Sequence, residues 1–348
     1  MIIILKTGHS PEDLQRVIAR IEEAGLRTHL SIGDNTTIVG VVGVPIPPEL
    51  QSDLEVLEPV EEVLRVTKRY KLPSREFHPE PTRFQVRDVT IGGAEVVVIA
   101  GPCSVESEQQ TIETARAVKA AGASILRGGA FKPRTSPYEF RGLGQRGLEI
   151  LAAARDETGM PIITEVLTPS DVELVARYTD ILQIGARNSQ NYLLLEEVGK
   201  SGVPVMLKRG MSMLVEEWLM AAEYIMAQGN PNVILCERGI RTFETITRNT
   251  LDLNAVPAVK RLSHLPIFAD PSHGAGKWYL VPAMSLASIA AGADGLMIEV
   301  HPNPDHAKSD GAQSLTFDNF NTLMPQLNAV ATAIGRSVAT GTAALAAR

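Results

Sequence analysis

The sequence predicts an α/β protein, a (β/α)8 TIM barrel preceded by a small ferredoxin-like domain, and three observations indicate this fold class. Eight short apolar segments recur after Glu95, and a helical pattern separates each one from the next. Polar or ionisable residues follow every one of these segments. The first 70 residues instead fit six elements in the order βαββαβ, which is typical of a ferredoxin-like sandwich.

The N-terminal domain is expected over residues 1–70. Its first helix is predicted to begin at Ser10-Pro11-Glu12-Asp13, because this segment combines a capping serine, a first-turn proline and acids near the positive end of the helix dipole. Gly33-Asp34-Asn35 is expected to turn the chain between two strands. The other predicted elements are strands at Ile2–Leu5, Leu26–Ile32, Thr36–Val42 and Val60–Thr67 and a helix at Pro47–Leu57.

Residues 71–94 are expected to connect the two domains. The segment Tyr70–Arg83 contains three prolines and many charges but no period of 2 or 3.6 residues, as is typical of a linker. Phe84–Ile91, followed by Gly92-Gly93, predicts a short hairpin that caps the barrel.

The barrel is expected over residues 95–337. Its predicted strands are Val96–Ala100, Ser124–Arg127, Pro161–Val166, Ile181–Ile184, Pro204–Leu207, Val233–Leu235, Pro266–Phe268 and Gly295–Ile298. Its predicted helices are Glu108–Ala121, Gly147–Thr158, Ser170–Tyr178, Tyr192–Lys200, Leu214–Gln228, Thr250–Leu262, Val281–Ala291 and Phe317–Ile334. A doubly wound open sheet is the alternative, but eight regular units favour a closed barrel. Residues 338–348, rich in Ala and Gly, are expected to be a disordered tail.

Composition limits the partners. With 33 Lys and Arg against 40 Asp and Glu, the net charge of −7 argues against binding to nucleic acid or an acidic membrane surface. No apolar run approaches the length of a signal-peptide core or a membrane span. Two cysteines are too few for a disulfide framework. We therefore expect a cytoplasmic protein.

Cations accumulate where the predicted strands end, the face at which barrel enzymes bind their substrates. Arginine binds phosphate and carboxylate groups in a bidentate manner, and lysine adds a point charge. In a chain of net negative charge, such a concentration predicts a site for small phosphorylated molecules. The residues concerned are Arg127, Lys132, Arg134, Arg187, Lys208 and Arg238.

A second group of strand-end residues could hold a metal ion. Cys103, His273, Glu299 and Asp310 follow the first, seventh and eighth strands, and the first and eighth strands are neighbours in a closed barrel. Mixed sulfur, nitrogen and oxygen donors suit Mn, Fe, Co or Zn. Because no compact ligand motif marks the site, a packed thiol at Cys103 and an ion pair at Glu299 remain alternatives. Cys236 is interpreted as a buried core thiol.

The motifs at the strand ends resemble one family. GPCSVES, LRGGAFKPRTSPY, IGARN, LKRG, CERGIRTFE, ADPSH and IEVHP, in this order, are similar to those of 3-deoxy-D-arabino-heptulosonate 7-phosphate (DAHP) synthase of the type I beta class, which carries an N-terminal ferredoxin-like domain. The resemblance covers nearly the whole chain. It implies condensation of phosphoenolpyruvate with erythrose 4-phosphate, the first step of the shikimate pathway to the aromatic amino acids.

The resemblance also implies a role for each site residue. It makes Cys103, His273, Glu299 and Asp310 the metal ligands. It assigns Arg127 and Lys208 to the phosphoenolpyruvate carboxylate, Arg187 and Arg238 to its phosphate, Lys132 to the reacting centre, Arg134, Thr135 and Ser136 to the erythrose phosphate, and Asp270 to the sugar hydroxyls. Glu165 and Ala186 complete the substrate-binding set, and the catalytic set is Lys132, Cys103, His273 and Asp270.

Regulation and two alternative functions complete these expectations. The resemblance implies a homotetramer that is inhibited by tyrosine or phenylalanine through residues 1–70. The first alternative is KDO 8-phosphate synthase, a related enzyme that uses arabinose 5-phosphate and typically has asparagine where this chain has Pro133. The second alternative is an effector-binding protein whose barrel is vestigial, although the complete set of cations and candidate ligands argues against it.

Overall fold

The computed structural model describes residues 1–32, 37–42, 46–64, 69–133, 136 and 138–339. It contains two compact units, Met1–Arg69 and Tyr70–Arg348. No helix within the described ranges is both long enough and apolar enough to cross a membrane.

The first unit has the predicted βαββαβ order. Its elements are β1 (Ile2–Leu5), α1 (Pro11–Glu23), β2 (Arg27–Ile32), β3 (Thr37–Val42), α2 (Pro48–Glu55) and β4 (Val60–Leu64). The strands form one antiparallel sheet in the order β2-β3-β1-β4. The predicted cap is present, because the Ser10 hydroxyl accepts the Asp13 amide at 3.1 Å and the Asp13 carboxylate accepts the Ser10 amide at 3.1 Å. The predicted turn at residues 33–35 and the predicted strand residues 65–67 lie outside the described residues.

The second unit is a closed parallel barrel, which confirms the predicted fold class. It begins with a hairpin of β5 (Phe84–Val86) and β6 (Val89–Ile91). The barrel strands are β7 (Glu95–Gly101), β8 (Ile125–Arg127), β9 (Ile162–Glu165), β10 (Ile181–Ile184), β11 (Val205–Lys208), β12 (Val233–Glu237), β13 (Ile267–Ala269) and β14 (Gly295–Glu299). Each strand pairs with the next, and β14 pairs with β7 to close the barrel.

Helices separate the barrel strands and cover the sheet. They are α3 (Glu108–Ala120), α4 (Gln145–Thr158), α5 (Val172–Ala176), α6 (Tyr192–Lys200), α7 (Val215–Met226), α8 (Ala255–Leu262), α9 (Pro271–Ala275), α10 (Val281–Ala290) and α11 (Phe317–Ala333), and a short strand β15 (Ser337–Val338) follows. Alternate strand residues point to opposite sides of the sheet. Val96 and Val98 therefore belong to the core under the helices, whereas Val97 and Ile99 belong to the barrel interior.

Side chains of the hairpin pack against the barrel interior. Val86, Val89 and Ile91 belong to the same buried cluster as the inward-facing strand residues. Cys236 lies in this cluster and is fully buried, which confirms its interpretation as a core thiol. The hairpin precedes the first barrel strand and therefore packs at the end where the strands begin. Open, polar space is left at the other end, where the strands finish.

Two sequence predictions need correction in this unit. The helix predicted from Thr250 starts only at Ala255, because the Thr250 and Ile240 backbones exchange hydrogen bonds of 2.9 Å across the preceding loop. The predicted start of the disordered tail, residue 338, is wrong. Val338 is buried and pairs with Val96 of β7, whereas residues 340–348 lie outside the described residues.

Gly101 allows the ends of β7 and β8 to approach each other closely. Its φ of 150° is one that residues with side chains rarely adopt. A Cβ at this position would lie 2.2 Å from the backbone oxygen of Arg127. The glycine therefore lets Cys103, two residues further on, lie beside the end of β8.

Candidate active site

A cavity of about 170 Å³ opens at the ends of the barrel strands. Six cationic and three carboxylate side chains line it, so that it favours an anionic ligand. Nine of the predicted site residues are among its lining: Arg127, Lys132, Glu165, Ala186, Arg187, Lys208, Arg238, His273 and Asp310.

The other predicted residues differ in where they lie. Cys103, Asp270 and Glu299 are buried next to the lining residues but do not line the cavity themselves. Ser136, which is among the residues that the structure describes, does not line the cavity. Arg134 and Thr135 lie outside the described residues.

Two ion pairs are buried beside the cavity. Arg127 donates a hydrogen bond to Glu299, and Lys208 Nζ donates to Asp270 Oδ2 at 2.5 Å. All four side chains belong to residues that are at most 4% exposed. Burial alone would raise the pKa of Glu299, but the charge of Arg127, and that of His273 when it is protonated, lower the pKa below its usual value. Burial also opposes ionisation of Asp270, yet His273 and Lys208 hold its pKa well below the usual range. Both carboxylates are therefore charged at neutral pH.

Arg238 is the clearest candidate for an anion-binding group in the cavity. It is 5% exposed, and its Nη1 has no hydrogen-bond partner among the described residues. Burial lowers the pKa of this guanidinium, but an arginine remains charged at neutral pH. Leaving a buried, charged donor unpaired is costly, whereas a phosphate or carboxylate oxygen would satisfy it. Arg187, on the same cavity, is exposed.

Sulfur and oxygen donors converge between the ends of β7 and β14. Donor atoms of Cys103, Glu299 and Asp310 all lie within 4.8 Å of one another. The Cys103 Sγ lies 3.2 Å from Asp310 Oδ2. His273 Nε2 is 3.5 Å from Glu299 Oε1, so that the fourth predicted ligand faces the same cluster. One thiol, one imidazole and two carboxylates match the donors that borderline divalent ions prefer.

The surroundings of His273 suit a metal ligand. Its Nδ1 lies 2.7 Å from Asp270 Oδ2 without the alignment of a hydrogen bond, and its Nε2 faces the donor cluster. Burial lowers the pKa of His273 to about 4, although Asp270 opposes this effect. The ring is therefore neutral at pH 7 and has a lone pair available for coordination. Asp270 is fully buried and lies within ion-pair distance of both His273 and Lys208.

The positive charge around Cys103 is too small to stabilise a thiolate at neutral pH. Burial, with a further contribution from Glu299, raises the pKa of its thiol to about 12. Lys132 partly offsets this, since its Nζ lies 2.9 Å from Cys103 Sγ and 3.0 Å from the Cys103 carbonyl oxygen. A divalent cation among these donors would favour the thiolate much more strongly. The four residues therefore fit a metal ion both in donor chemistry and in charge.

Strand alternation decides which neighbouring charges reach the cavity. Lys208 and Arg238 line it, whereas Arg209 and Glu237, one residue away on the same strand ends, pair with each other. Arg209 Nη1 donates to Glu237 at 2.8 Å and to Asp252 at 2.9 Å. This cluster connects the segments that follow β11 and β12. It thereby holds Lys208 and Arg238 in position relative to each other.

Arg248 and Gln183 are among the lining residues that sequence reasoning missed. Arg248 lies eleven positions beyond the end of β12, in a segment without periodicity, and no sequence signal marks it. Gln183 is buried in β10 and lies 3.5 Å from Glu165 through its amide nitrogen. A polar residue inside an otherwise apolar strand was the available signal for Gln183.

Two family models match this sequence. The model of the DAHP synthetase I family matches residues 74–336, and that of the DAHP synthase ferredoxin-like domain matches residues 1–68. A phospho-2-dehydro-3-deoxyheptonate aldolase from Thermotoga maritima is 50% identical, over 97% of this chain and 100% of its own length. A 2-dehydro-3-deoxyphosphooctonate aldolase from Syntrophotalea carbinolica is 34% identical, over 72% of this chain and 96% of its own.

Solved structures are similar as well. The crystal structure of the Thermotoga maritima DAHP synthase has a TM-score of 0.92 at 49% identity, covering 97% of this chain and 98% of that chain. A truncated form of the 3-deoxy-D-arabino-heptulosonate 7-phosphate synthase from the same organism has a TM-score of 0.72 at 50% identity. That match covers 77% of this chain and 98% of that chain.

From the buried ion pair of Arg209 and Glu237 we predict an effect on thermal stability. Replacing Arg209 by Met leaves Glu237, which is fully buried, without its cation. We expect a loss of about 3–5 kcal/mol, which corresponds to a decrease in melting temperature of roughly 10 °C in a barrel of this size. Thermal unfolding followed by circular dichroism measures this shift.

An exposed arginine provides the control. Arg146 pairs with Glu108 and Glu149, but its side chain is 60% exposed, so that Arg146→Met should cost less than about 1 kcal/mol. Adding Glu237→Gln to Arg209→Met should recover part of the loss, because the uncompensated carboxylate is removed. Equal melting temperatures for the Arg209 and Arg146 variants would contradict a supporting role for the buried pair.

Proposed function

The chain belongs to the DAHP synthetase I family, as its motifs predicted, and we propose that it condenses phosphoenolpyruvate with erythrose 4-phosphate. The products would be 3-deoxy-D-arabino-heptulosonate 7-phosphate and inorganic phosphate. One observation carries this proposal: six cationic side chains line a cavity that directly adjoins a cluster of thiol, imidazole and carboxylate donors.

The charges of the two substrates support the proposal. Phosphoenolpyruvate carries a carboxylate and a phosphate, and erythrose 4-phosphate carries a second phosphate. These anions would repel each other in a shared cavity unless cations were already in place. The unpaired Nη1 of Arg238 supports its assignment, together with Arg187, to the phosphoenolpyruvate phosphate. Arg127 and Lys208, which also line the cavity, are assigned to the carboxylate.

The remaining assignments place the reacting atoms near Lys132. Its ammonium lines the cavity and touches Cys103, and although burial opposes its charge, Cys103 raises its pKa. Lys132 therefore stays protonated and can donate a hydrogen bond to the aldehyde oxygen of the sugar. Arg134, Thr135 and Ser136 are proposed to bind the sugar phosphate. For Asp270, the buried contacts to Lys208 and His273 support positioning of those two side chains rather than contact with the sugar hydroxyls.

The proposed reaction forms one carbon–carbon bond and breaks one carbon–oxygen bond, so that the cavity must hold both substrates close together. Carbon 3 of phosphoenolpyruvate attacks the aldehyde carbon, water adds to carbon 2, and phosphate leaves by cleavage of the C–O bond. A divalent ion bound by Cys103, His273, Glu299 and Asp310 would supply Lewis-acid polarisation of the aldehyde. The cationic lining would align the two substrates, and this alignment removes much of the entropic barrier.

KDO 8-phosphate synthase remains the second candidate, since proteins named 2-dehydro-3-deoxyphosphooctonate aldolase are up to 34% identical to this chain. The matches to two of these relatives cover 72% and 67% of the chain, whereas the match to the Thermotoga maritima relative covers 97%. The cavity residue Pro133, where that enzyme typically has asparagine, also favours the four-carbon sugar.

Phosphate release distinguishes the candidates. With phosphoenolpyruvate present, we expect release to be at least about tenfold faster with erythrose 4-phosphate than with arabinose 5-phosphate. Faster release with the five-carbon sugar would establish the second candidate instead. Absence of release with either sugar, in protein saturated with Mn²⁺, would favour an effector-binding protein with a vestigial barrel.

Metal removal tests the ligand assignment. Dialysis against a chelator should abolish phosphate release, and Mn²⁺, Fe²⁺, Co²⁺ or Zn²⁺ should restore it. Cys103→Ala should prevent both metal binding and activity, because it deletes the sulfur donor. Cys236→Ala is the matched control, since Cys236 is equally buried but lies in the barrel interior. Full activity of exhaustively chelated protein would remove the four residues from a metal-binding role.

We further propose that the enzyme is a homotetramer and that the first unit mediates its inhibition by tyrosine or phenylalanine. The match of residues 1–68 to the DAHP synthase ferredoxin-like domain supports a regulatory role. We expect one of the two amino acids to slow phosphate release by at least about fivefold in the full chain. Deleting residues 1–69 should abolish this inhibition.

The deletion should stop before Tyr70, because Tyr70 is 4% exposed and packs in the core of the barrel unit. Activity without effector and thermal unfolding serve as controls for the folding of the truncated chain. Equal inhibition of the full and truncated chains would refute regulation by the first unit. Light scattering on both proteins tests the proposed tetramer.

A further inference from the structure

Two polar side chains outside the donor cluster connect two of its carboxylates. Gln313 Nε2 donates a hydrogen bond to Glu299 Oε2 at 2.8 Å, and Arg248 Nη1 donates to Gln313 Oε1 at 2.8 Å. The same Arg248 nitrogen lies 3.1 Å from Asp310 Oδ1. Neither residue belongs to the set of candidate ligands. We call this chain of contacts the Arg248–Gln313 bridge.

The bridge determines which end of the Gln313 amide faces Glu299. Gln313 is 2% exposed, so that water cannot readily replace a missing partner. The Arg248 guanidinium can only donate hydrogen bonds, and therefore it holds the amide oxygen on its own side. The amide NH2 is left to donate to the carboxylate. A flipped amide would place oxygen against carboxylate and NH2 against guanidinium.

With this contact, both oxygens of Glu299 are held. Oε1 accepts from Arg127 and lies 3.5 Å from His273 Nε2. Oε2 accepts from Gln313. The carboxylate therefore has a defined rotation, and one oxygen is directed towards the other candidate ligands.

Asp310 is held by the same turn of chain. It has a left-handed backbone conformation with φ 50°, uncommon for a residue other than glycine. Its backbone oxygen accepts a hydrogen bond from the backbone N–H of Gln313 at 3.2 Å, in the turn that ends at Gln313. Arg248 contacts one side-chain oxygen of Asp310, and Cys103 contacts the other.

The backbone of Arg248 is anchored beside a third candidate ligand. Its amide donates to Ala275 at 3.0 Å, and the side chain of the next residue, Asn249, donates to the His273 carbonyl at 3.1 Å. Gly276 leaves room for Arg248, because a Cβ there would lie 2.3 Å from Arg248 Cβ. Arg248 thus links the segment that carries His273 to the one that carries Asp310.

From these contacts we propose that Arg248 and Gln313 are positioning residues for the metal site, which orient Glu299 and Asp310 so that both can bind one divalent ion. The inference rests on the proposed metal-binding function of those carboxylates. Hydrogen-bond partners of metal ligands typically contribute ten- to hundredfold in metal affinity.

The choice of variants must separate orientation from charge. Removing the Arg248 charge would by itself favour cation binding, because it removes a nearby repulsion. Arg248→Lys keeps the charge but loses the planar guanidinium that contacts Gln313 and Asp310 together. Gln313→Met removes the amide without a change in charge and with little change in volume. Gln313 does not line the cavity, so this variant leaves the substrate-facing surface intact.

Binding of Co²⁺ alone, without substrates, tests the inference. Titration of the metal-free protein with Co²⁺ gives the dissociation constant of the ion. The visible absorption of the bound ion reports the geometry of its ligands. We expect Gln313→Met and Arg248→Lys each to weaken Co²⁺ binding by about tenfold or more and to change the spectrum. Thermal unfolding of the metal-free proteins should show that each variant is still folded at the temperature of the titration, so that a changed spectrum reports the orientation of the ligands rather than unfolding.

Two matched controls accompany the variants. Gln110→Met removes another buried glutamine, one without a contact to the candidate ligands among the described residues. Arg241→Lys changes an exposed arginine of the same segment as Arg248. Both controls should bind Co²⁺ as the unmodified chain does.

The outcomes separate this inference from the proposed function. Dissociation constants within twofold of the unmodified chain, with unchanged spectra, would overturn the positioning role and leave the condensation reaction untouched. If the unmodified chain bound no Co²⁺ while still releasing phosphate, the metal site and its positioning residues would both be wrong.

Discussion

Closure of the barrel by the pairing of β14 with β7 is the constraint on which the rest of the site depends. In this pairing Glu299 lies opposite Gly101, two residues before Cys103. Residues almost 200 positions apart in the sequence are thereby brought within contact distance. Because backbone hydrogen bonds set this register, they fix Glu299 at the end of the strand beside the segment that carries Cys103.

Charge compensation explains why so many ionisable groups can be buried at this end of the barrel. Glu299 is paired with Arg127, Asp270 with Lys208, and Glu237 with Arg209. An uncompensated buried charge would cost several kcal/mol, about as much as a domain can lose and remain folded. The buried acids thus each have a cation. Arg187 and Arg238, which line the cavity, do not belong to these pairs, so that an anionic ligand can neutralise them.

The sequence by itself determined the fold class, the positions of the barrel strands and most of the residues that line the candidate site. Parallel strands are buried on both faces, so that they appear as continuous apolar segments, and their polar C-terminal neighbours mark the open end. This pattern was sufficient to locate Arg127, Lys208, Arg238 and the candidate metal ligands. It also identified Cys236 as a core residue, because that cysteine lies within an apolar strand.

Only the tertiary structure decided which strand-end charges face the cavity and which support it. Arg209 adjoins Lys208 in the sequence but lies outside the cavity, since alternate residues of a strand point to opposite sides. Asp270 likewise turned out to be a buried partner of Lys208 and His273. Arg248 and Gln313 lie in irregular segments, where local pattern does not specify the path of the chain. Their roles depend on contacts between distant loops, and such contacts leave no periodic signal in the sequence.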